Sequence, residues 1–165
     1  VTNIYRVYNG AMPTTAALTK VTTGTAIKTL LQVAPPSGRD IEVVGWGISF
    51  DGSAVGVSIQ AELIETDVAA TVTAHTSTGI YRVNKPGGAA SGVQLGTALT
   101  GYTASAEGTI TAVRIGDYQL IQPTNQFVYD YILGYEFVAR DTKFARIRVT
   151  ATAAVNAVCY ITYSE

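Results

Sequence analysis

The stretch Ala145–Thr152, ARIRVTAT, alternates without a break between apolar and polar residues. Successive side chains of a strand point to opposite faces. Ala145, Ile147, Val149 and Ala151 therefore line one face, and Arg146, Arg148, Thr150 and Thr152 the other. A helix would need its apolar positions three and four apart, and that spacing is missing here. The same two-residue period recurs on both sides of this stretch. From Val57 to Glu65, Val57, Ile59, Ala61 and Leu63 oppose Ser58, Gln60 and Glu62. From Val155 to Tyr163, Val155, Ala157, Cys159, Ile161 and Tyr163 share a face. The opposite face there still carries Val158 and Tyr160, so that strand is expected to be covered on both sides.

Further strands are expected over Asn3–Tyr8, Ala26–Val33, Ile41–Phe50, Gly79–Val83, Thr109–Ile115, Tyr118–Gln122 and Phe127–Val138. Turn chemistry separates them. Pro35-Pro36-Ser37-Gly38 precedes Ile41, and Asp51-Gly52-Ser53 reads as a hairpin turn. Gly116-Asp117, Pro123-Thr124-Asn125 and Arg140-Asp141-Thr142 punctuate the later part. Helical signal is confined to Thr66–Thr76, whose Thr and Val content allows a short turn at most. Many short strands without alternating helices imply an all-β fold, an antiparallel β-sandwich or jelly roll with long Gly/Ala/Thr-rich loops. The 165 residues suit a single domain, 1–165.

Two segments break the pattern. Asn84–Gly108 is rich in Gly, Ala, Ser and Thr and reads as a long loop (84–108) without regular structure, either mobile or laid on a neighbouring subunit. Residues 9–25 carry the same composition and read as an extended arm.

Charged residues make up 14% of the chain, against about 25% in an ordinary soluble domain. That deficit fits a protein that hides part of its surface against partners. The net charge of −1 and the absence of Lys/Arg runs point away from nucleic acid and from membrane surfaces. Lys143, Arg146 and Arg148 read as one solvated strand face. The first residues lack the charged-then-apolar pattern of a signal peptide.

Catalytic constellations are not legible. His75 is the single histidine and stands among Thr and Ser residues, where it reads as a surface side chain. Cys159 lies mid-strand and reads as a buried, inert thiol that can form no intrachain disulfide. One His and one Cys far apart give no metal-ligand spacing, so no metal or other cofactor is expected. Glu62, Glu65, Asp67, Glu107, Asp117, Asp130, Glu136 and Asp141 are the acidic candidates for glycoside hydrolysis, and none has a context that singles it out. Trp46 shares an apolar face with Val44, Ile48 and Phe50 and reads as core, with sugar stacking as the alternative.

Tyrosine is the unusual aromatic, with ten copies. In an unbroken strand, Phe127, Tyr129, Tyr131, Leu133 and Tyr135 would share one face, which Gly134 can interrupt. Phe127 and Leu133 read as core. Tyr129, Tyr131 and Tyr135 are the candidate self-association or partner contacts, because tyrosine buries large area while keeping a polar handle.

Three stretches carry a family resemblance: KTLLQVAPPSGRDIEVVGWGISFDGSA (Lys28–Ala54), DYQLIQPTNQFVYDYILGYE (Asp117–Glu136) and FARIRVTATAAVNAVCYITYSE (Phe144–Glu165). Together they resemble small β-rich proteins of tailed bacteriophages of actinobacteria, the head-decoration (cement) and minor virion proteins. The resemblance implies a non-enzymatic homo-oligomer, a trimer by preference, bound to the major capsid protein on the capsid surface and present in the host cytoplasm during assembly. It carries over no site residue. The alternative is a carbohydrate- or receptor-binding β-sandwich of a tail fibre.

Overall fold

The computed structural model describes residues 2–11 and 15–165. Within them the chain passes back and forth between two antiparallel sheets. One holds β1 (Ile4–Tyr8), β4 (Ile41–Phe50), β10 (Gln126–Asp130) and β13 (Asn156–Ser164), with short strands β2 (Val21–Thr22), β7 (Ile80–Arg82) and β11 (Phe137–Ala139). The other holds β3 (Ile27–Val33), β5 (Ile59–Thr66), β9 (Val113–Ile121) and β12 (Phe144–Thr150), with β6 (Thr71–Ala74) and β8 (Gly101–Ala106). The strand orders are β10-β4-β13-β1-β7 and β6-β8-β3-β12-β5-β9, with β11 added to β4 and β2 to β13. The chain is an all-β sandwich, as its alternation requires.

The core follows from that alternation. On β12, Ala145, Ile147 and Val149 are buried, between β3 on one side and β5 on the other. Ile59, Ala61 and Leu63 of β5 join them, and Ala157, Cys159, Ile161 and Tyr163 of β13 face them from the other sheet. Each fully buried Val, Leu or Ile side chain here is worth about 1.5–3 kcal/mol relative to exposure.

Several expectations are corrected. Val44 is a bulge: Gly45 pairs with Thr162 and Val43 with Tyr163, so Val44 has no partner. The bulge switches parity, so Ile41 and Val43 enter the core before it and Trp46, Ile48 and Phe50 after it. Val44 itself is half-buried, off the Trp46 face. Gly116-Asp117 is not a turn. Leu63 pairs with Asp117 and Ile64 with Ile115, so β9 runs through Gly116 as a second bulge. Asp51-Gly52-Ser53 is not a hairpin turn, because it carries the chain from β4 in one sheet to β5 in the other. The expected strand Phe127–Val138 is two strands, β10 and β11, separated by a turn in which Tyr135 N donates to Ile132 O at 2.8 Å. Thr66–Thr76 contains β6, and the one helical turn among the described residues is a 3-10 turn at Ser77–Gly79.

The long segment 84–108 contains β8 and lies against its own sandwich. Tyr5 Oη donates to Ala89 O at 2.9 Å, Tyr163 Oη and Ser91 Oγ share a 2.6 Å hydrogen bond, and Gly92 N donates to Glu165 Oε1 at 2.7 Å. These bonds satisfy hydroxyls of two buried, stacked tyrosines, which is why a segment of small residues can be fixed in place. Of the arm 9–25, Asn9 Nδ2 donates to Ala157 O and Asn9 Oδ1 accepts from Cys159 N, while β2 pairs with β13. Residues 12–14 of that arm lie outside the described residues.

The basic strand face is also corrected. Arg146 points away from the core yet is fully buried, because the β5–β6 connection and Glu107 fold over it. Its Nη1 meets Glu107 Oε2 at 3.3 Å and its Nη2 donates to Val68 O. Burial pushes the guanidinium down to about 10, against the opposing pull of the Glu107 charge. Arg148 is paired with Glu62 at 2.5 Å.

Candidate assembly surface

Strand β9 is an edge of one sheet and β10 an edge of the other, and both border the same side of the sandwich. Three contacts join them. Trp46 Nε1, on the strand next to β10, donates to Asp117 Oδ2 at 3.0 Å; Tyr131 Oη donates to Gly116 O at 3.2 Å; and Arg114 Nη2 donates to Val138 O.

The sidedness of β9 is inverted. Its polar residues Arg114, Asp117 and Gln119 turn inward, where Arg114 binds Glu65, Asp117 caps the buried indole and Gln119 Nε2 donates to Asp117 Oδ1. Its apolar residues Val113, Ile115, Tyr118 and Leu120 turn outward and are exposed. The β10–β11 turn continues this surface with Ile132, Leu133 and Tyr135, of which Leu133 is 91% exposed. Tyr129 adds to it, whereas Val128 lies on the outer face of the other sheet beside Tyr8 and Tyr160. A surface turn is ordinarily built of polar residues and glycine. Eight of the fifteen exposed large hydrophobics among the described residues lie on this one side. Exposed apolar side chains on ordinary monomers are mostly scattered singly, whereas these are gathered at one edge.

The three tyrosines separate. Tyr131 completes an internal aromatic ladder: Trp46–Phe127 at 5.2 Å, Phe127–Tyr129 at 6.4 Å and Tyr129–Tyr131 at 4.9 Å between ring centroids. Burial, helped by the Asp117 charge, raises its hydroxyl to about 12. Tyr129 stacks in the ladder with one edge open to solvent, and Tyr135 projects from the turn. Leu133, expected in the core, is at the tip of the turn, because the strand ends at Asp130 and Gly134 takes a left-handed φ of 87°. The outward row on β9 was missed for a physical reason. Its alternation is visible in Val113–Leu120, but alternation alone does not say which face is the core.

Most of the residues weighed for chemistry have structural partners. His75 is buried, not on the surface; its Nε2–H donates to Tyr8 O at 2.6 Å and its ring meets Tyr102 edge-on at 4.8 Å. Cys159 is buried, and burial raises its thiol well above the usual value. Trp46 is fully buried, so its indole has no face for a sugar. Glu62, Glu65 and Glu107 are in ion pairs, Asp117 holds Trp46, and Asp67 accepts from Thr111 and Ala112. No group of three His, Cys, Asp or Glu side chains comes together among the described residues. Compared with known protein families, with curated proteins and with solved structures, the chain matches none.

Proposed function

We propose that this chain is a non-enzymatic structural subunit of a virus particle, a capsid decoration protein that self-associates and stabilises the assembled head. The observation that carries the reading is the inverted edge strand: β9 turns Arg114, Asp117 and Gln119 to the core side at the sandwich edge and Val113, Ile115, Tyr118 and Leu120 outward beside the apolar β10–β11 turn. Exposed edges normally carry charge, because a bare apolar edge invites aggregation. A side built this way is consistent with one covered in the assembled state. The resemblance of Lys28–Ala54, Asp117–Glu136 and Phe144–Glu165 to phage decoration proteins supplies the kind of assembly. A cement protein that binds only the closed shell stabilises it by mass action.

The test uses light scattering after size exclusion, together with co-sedimentation on assembled capsids. Wild type is expected as an oligomer, a trimer by preference, that co-sediments. Leu133→Asp with Tyr135→Ser is expected to give a folded monomer, because both side chains are solvent-facing and surface changes rarely exceed about 0.5 kcal/mol in stability. A wild type that is strictly monomeric and ignores capsids would sink the proposal.

A further inference from the structure

At the Val113 end of this surface, a notch of about 90 Å³ is lined by three cations, Arg114, Arg140 and Lys143, and two carboxylates, Glu65 and Asp67. The carboxylates are saturated. Glu65 Oε1 accepts from Arg114 Nε at 3.2 Å and from Arg140 Nε and Nη2 at 3.0 and 2.6 Å; its Oε2 accepts from Arg114 Nη2 at 3.1 Å and Arg140 N at 2.8 Å. Asp67 Oδ1 accepts from Thr111 N and Ala112 N, and its Oδ2 from Thr111 Oγ1. The cations are not saturated. Each guanidinium has five N–H donors, and Nη1 of Arg114 and of Arg140 makes no hydrogen bond among the described residues. Lys143 Nζ has no hydrogen bond or ion pair there either.

Three cations against two carboxylates leave a charge of +1 in the lining, offset from outside by Asp40, whose charge acts on Arg140, and unused donors remain on three side chains. The turn that carries Lys143 is fixed: Lys143 N donates to Arg140 O at 3.0 Å, and Thr142 takes a φ of 66°. A β-branched residue is rarely found in that conformation. The volume holds about three waters at ~30 Å³ each, comparable to one carboxylate with its methylene. Val113, exposed at the mouth, joins the notch to the apolar row of β9.

We propose that this notch receives the carboxylate of an aspartate or glutamate on the partner shell protein, held by Lys143 with Arg114 and Arg140, while apolar neighbours of that residue cover Val113 and Ile115. The identity of the source rests on the assembly reading above; the anion site itself does not. The pair of arginines and the point charge of lysine together match a planar acceptor better than a lone lysine would.

The test has two arms. In the first, side-chain nitrogen NMR follows Arg114, Arg140 and Lys143 during titration with acetate, inorganic phosphate, and the peptides acetyl-Val-Asp-Val-amide and acetyl-Val-Asn-Val-amide, at constant ionic strength. Saturable shifts are expected with acetate and more tightly with the Asp peptide, with none for the Asn peptide. Lys143→Met is expected to weaken the Asp peptide about tenfold, the loss of one charge-assisted hydrogen bond. No saturable shift, phosphate binding tighter than the Asp peptide, or an unchanged Lys143→Met would each overturn the site. In the second arm, Lys143→Glu is expected to lose co-sedimentation with capsids and to keep its oligomeric state. Full co-sedimentation of Lys143→Glu overturns the shell protein as source, and so does loss of the oligomer, which would assign the carboxylate to a second copy. A wild type that neither oligomerises nor co-sediments refutes the parent reading and the shell source together, and the peptide arm still decides whether the anion site exists.

Discussion

Trp46 Nε1 donates to Asp117 Oδ2 across the sandwich at 3.0 Å, so the largest buried side chain of one sheet is capped by the edge strand of the other. Asp117 also accepts from Tyr118 N and Gln119 Nε2, which fixes its carboxylate beside the Gly116 bulge. Asp117→Ala would strand a buried N–H donor. The expected cost is about 1–3 kcal/mol, read as a lower urea midpoint in a melt followed by tryptophan emission. An unchanged midpoint would mean that the bond contributes nothing to joining the sheets.

Glu65 sets the behaviour in acid. Burial pushes its carboxyl up, but hydrogen bonds from Arg114 and Arg140 outweigh burial and hold it down to about 2, from an ordinary 4.5. The folded value lies below the unfolded one, so the unfolded chain binds the proton first. The stabilisation is complete above about pH 4.5 and is lost as pH falls towards 2. Glu65→Gln should lower the melting temperature at pH 7 and flatten its fall between pH 4.5 and 2. A parallel fall in both proteins would remove Glu65 as the cause.

His75 titrates in a higher window. Burial lowers its imidazole below 6.5, with the Tyr8 carbonyl bond partly opposing. The neutral ring is the folded form, so stability is full above about pH 6.5 and declines as pH drops below it. His75→Gln, which keeps a donor for Tyr8 O, should show no such decline between pH 7 and 5. His75→Ala should lower stability and leave capsid binding unchanged; a folded His75→Ala protein that no longer assembles would contradict the structural role.

Gly47 lies on the outer face of β4 beneath the Tyr160 ring, and a Cβ there would stand 2.7–2.8 Å from two ring carbons and the hydroxyl oxygen. That ring also carries the Arg6 guanidinium 4.3 Å from its centroid. Gly47→Ala should displace the ring and cost about 1–3 kcal/mol, as overpacking does. Thermal melts of Gly47→Ala alone and combined with Tyr160→Ala check it, since removing the ring should recover most of the loss.

Val149→Asp should leave the protein unfolded by circular dichroism, because Val149 is in the central core and an aspartate there would be buried without a partner. A folded Val149→Asp protein would refute the assignment of the core face of β12.

How far the fold was legible follows from these residues. Val149, Ile147 and Ala145 announced their burial because β12 is regular on its core side. Val44 and Gly116 hid their places, because a bulge changes parity without changing composition. Arg146 and His75 looked solvent-facing, since local pattern shows the face of a strand but not what folds over it. At the candidate surface, Tyr129 and Tyr135 were legible as exposed aromatics. The row from Val113 to Leu120 was not, because its polar partners Glu65 and Trp46 lie far away in sequence.

The position of β13 has a consequence for synthesis. This strand lies between β4 and β1, and Arg6 of β1 bonds Thr162 across 156 residues of chain. Until residue 164 has left the ribosome, β1 has no neighbour on that side and β4 lacks its central partner. The nascent chain must therefore carry an open apolar sheet until β13 emerges, and pairing at such separation is slow. Chaperone demand should therefore fall on the nascent chain before β13 emerges.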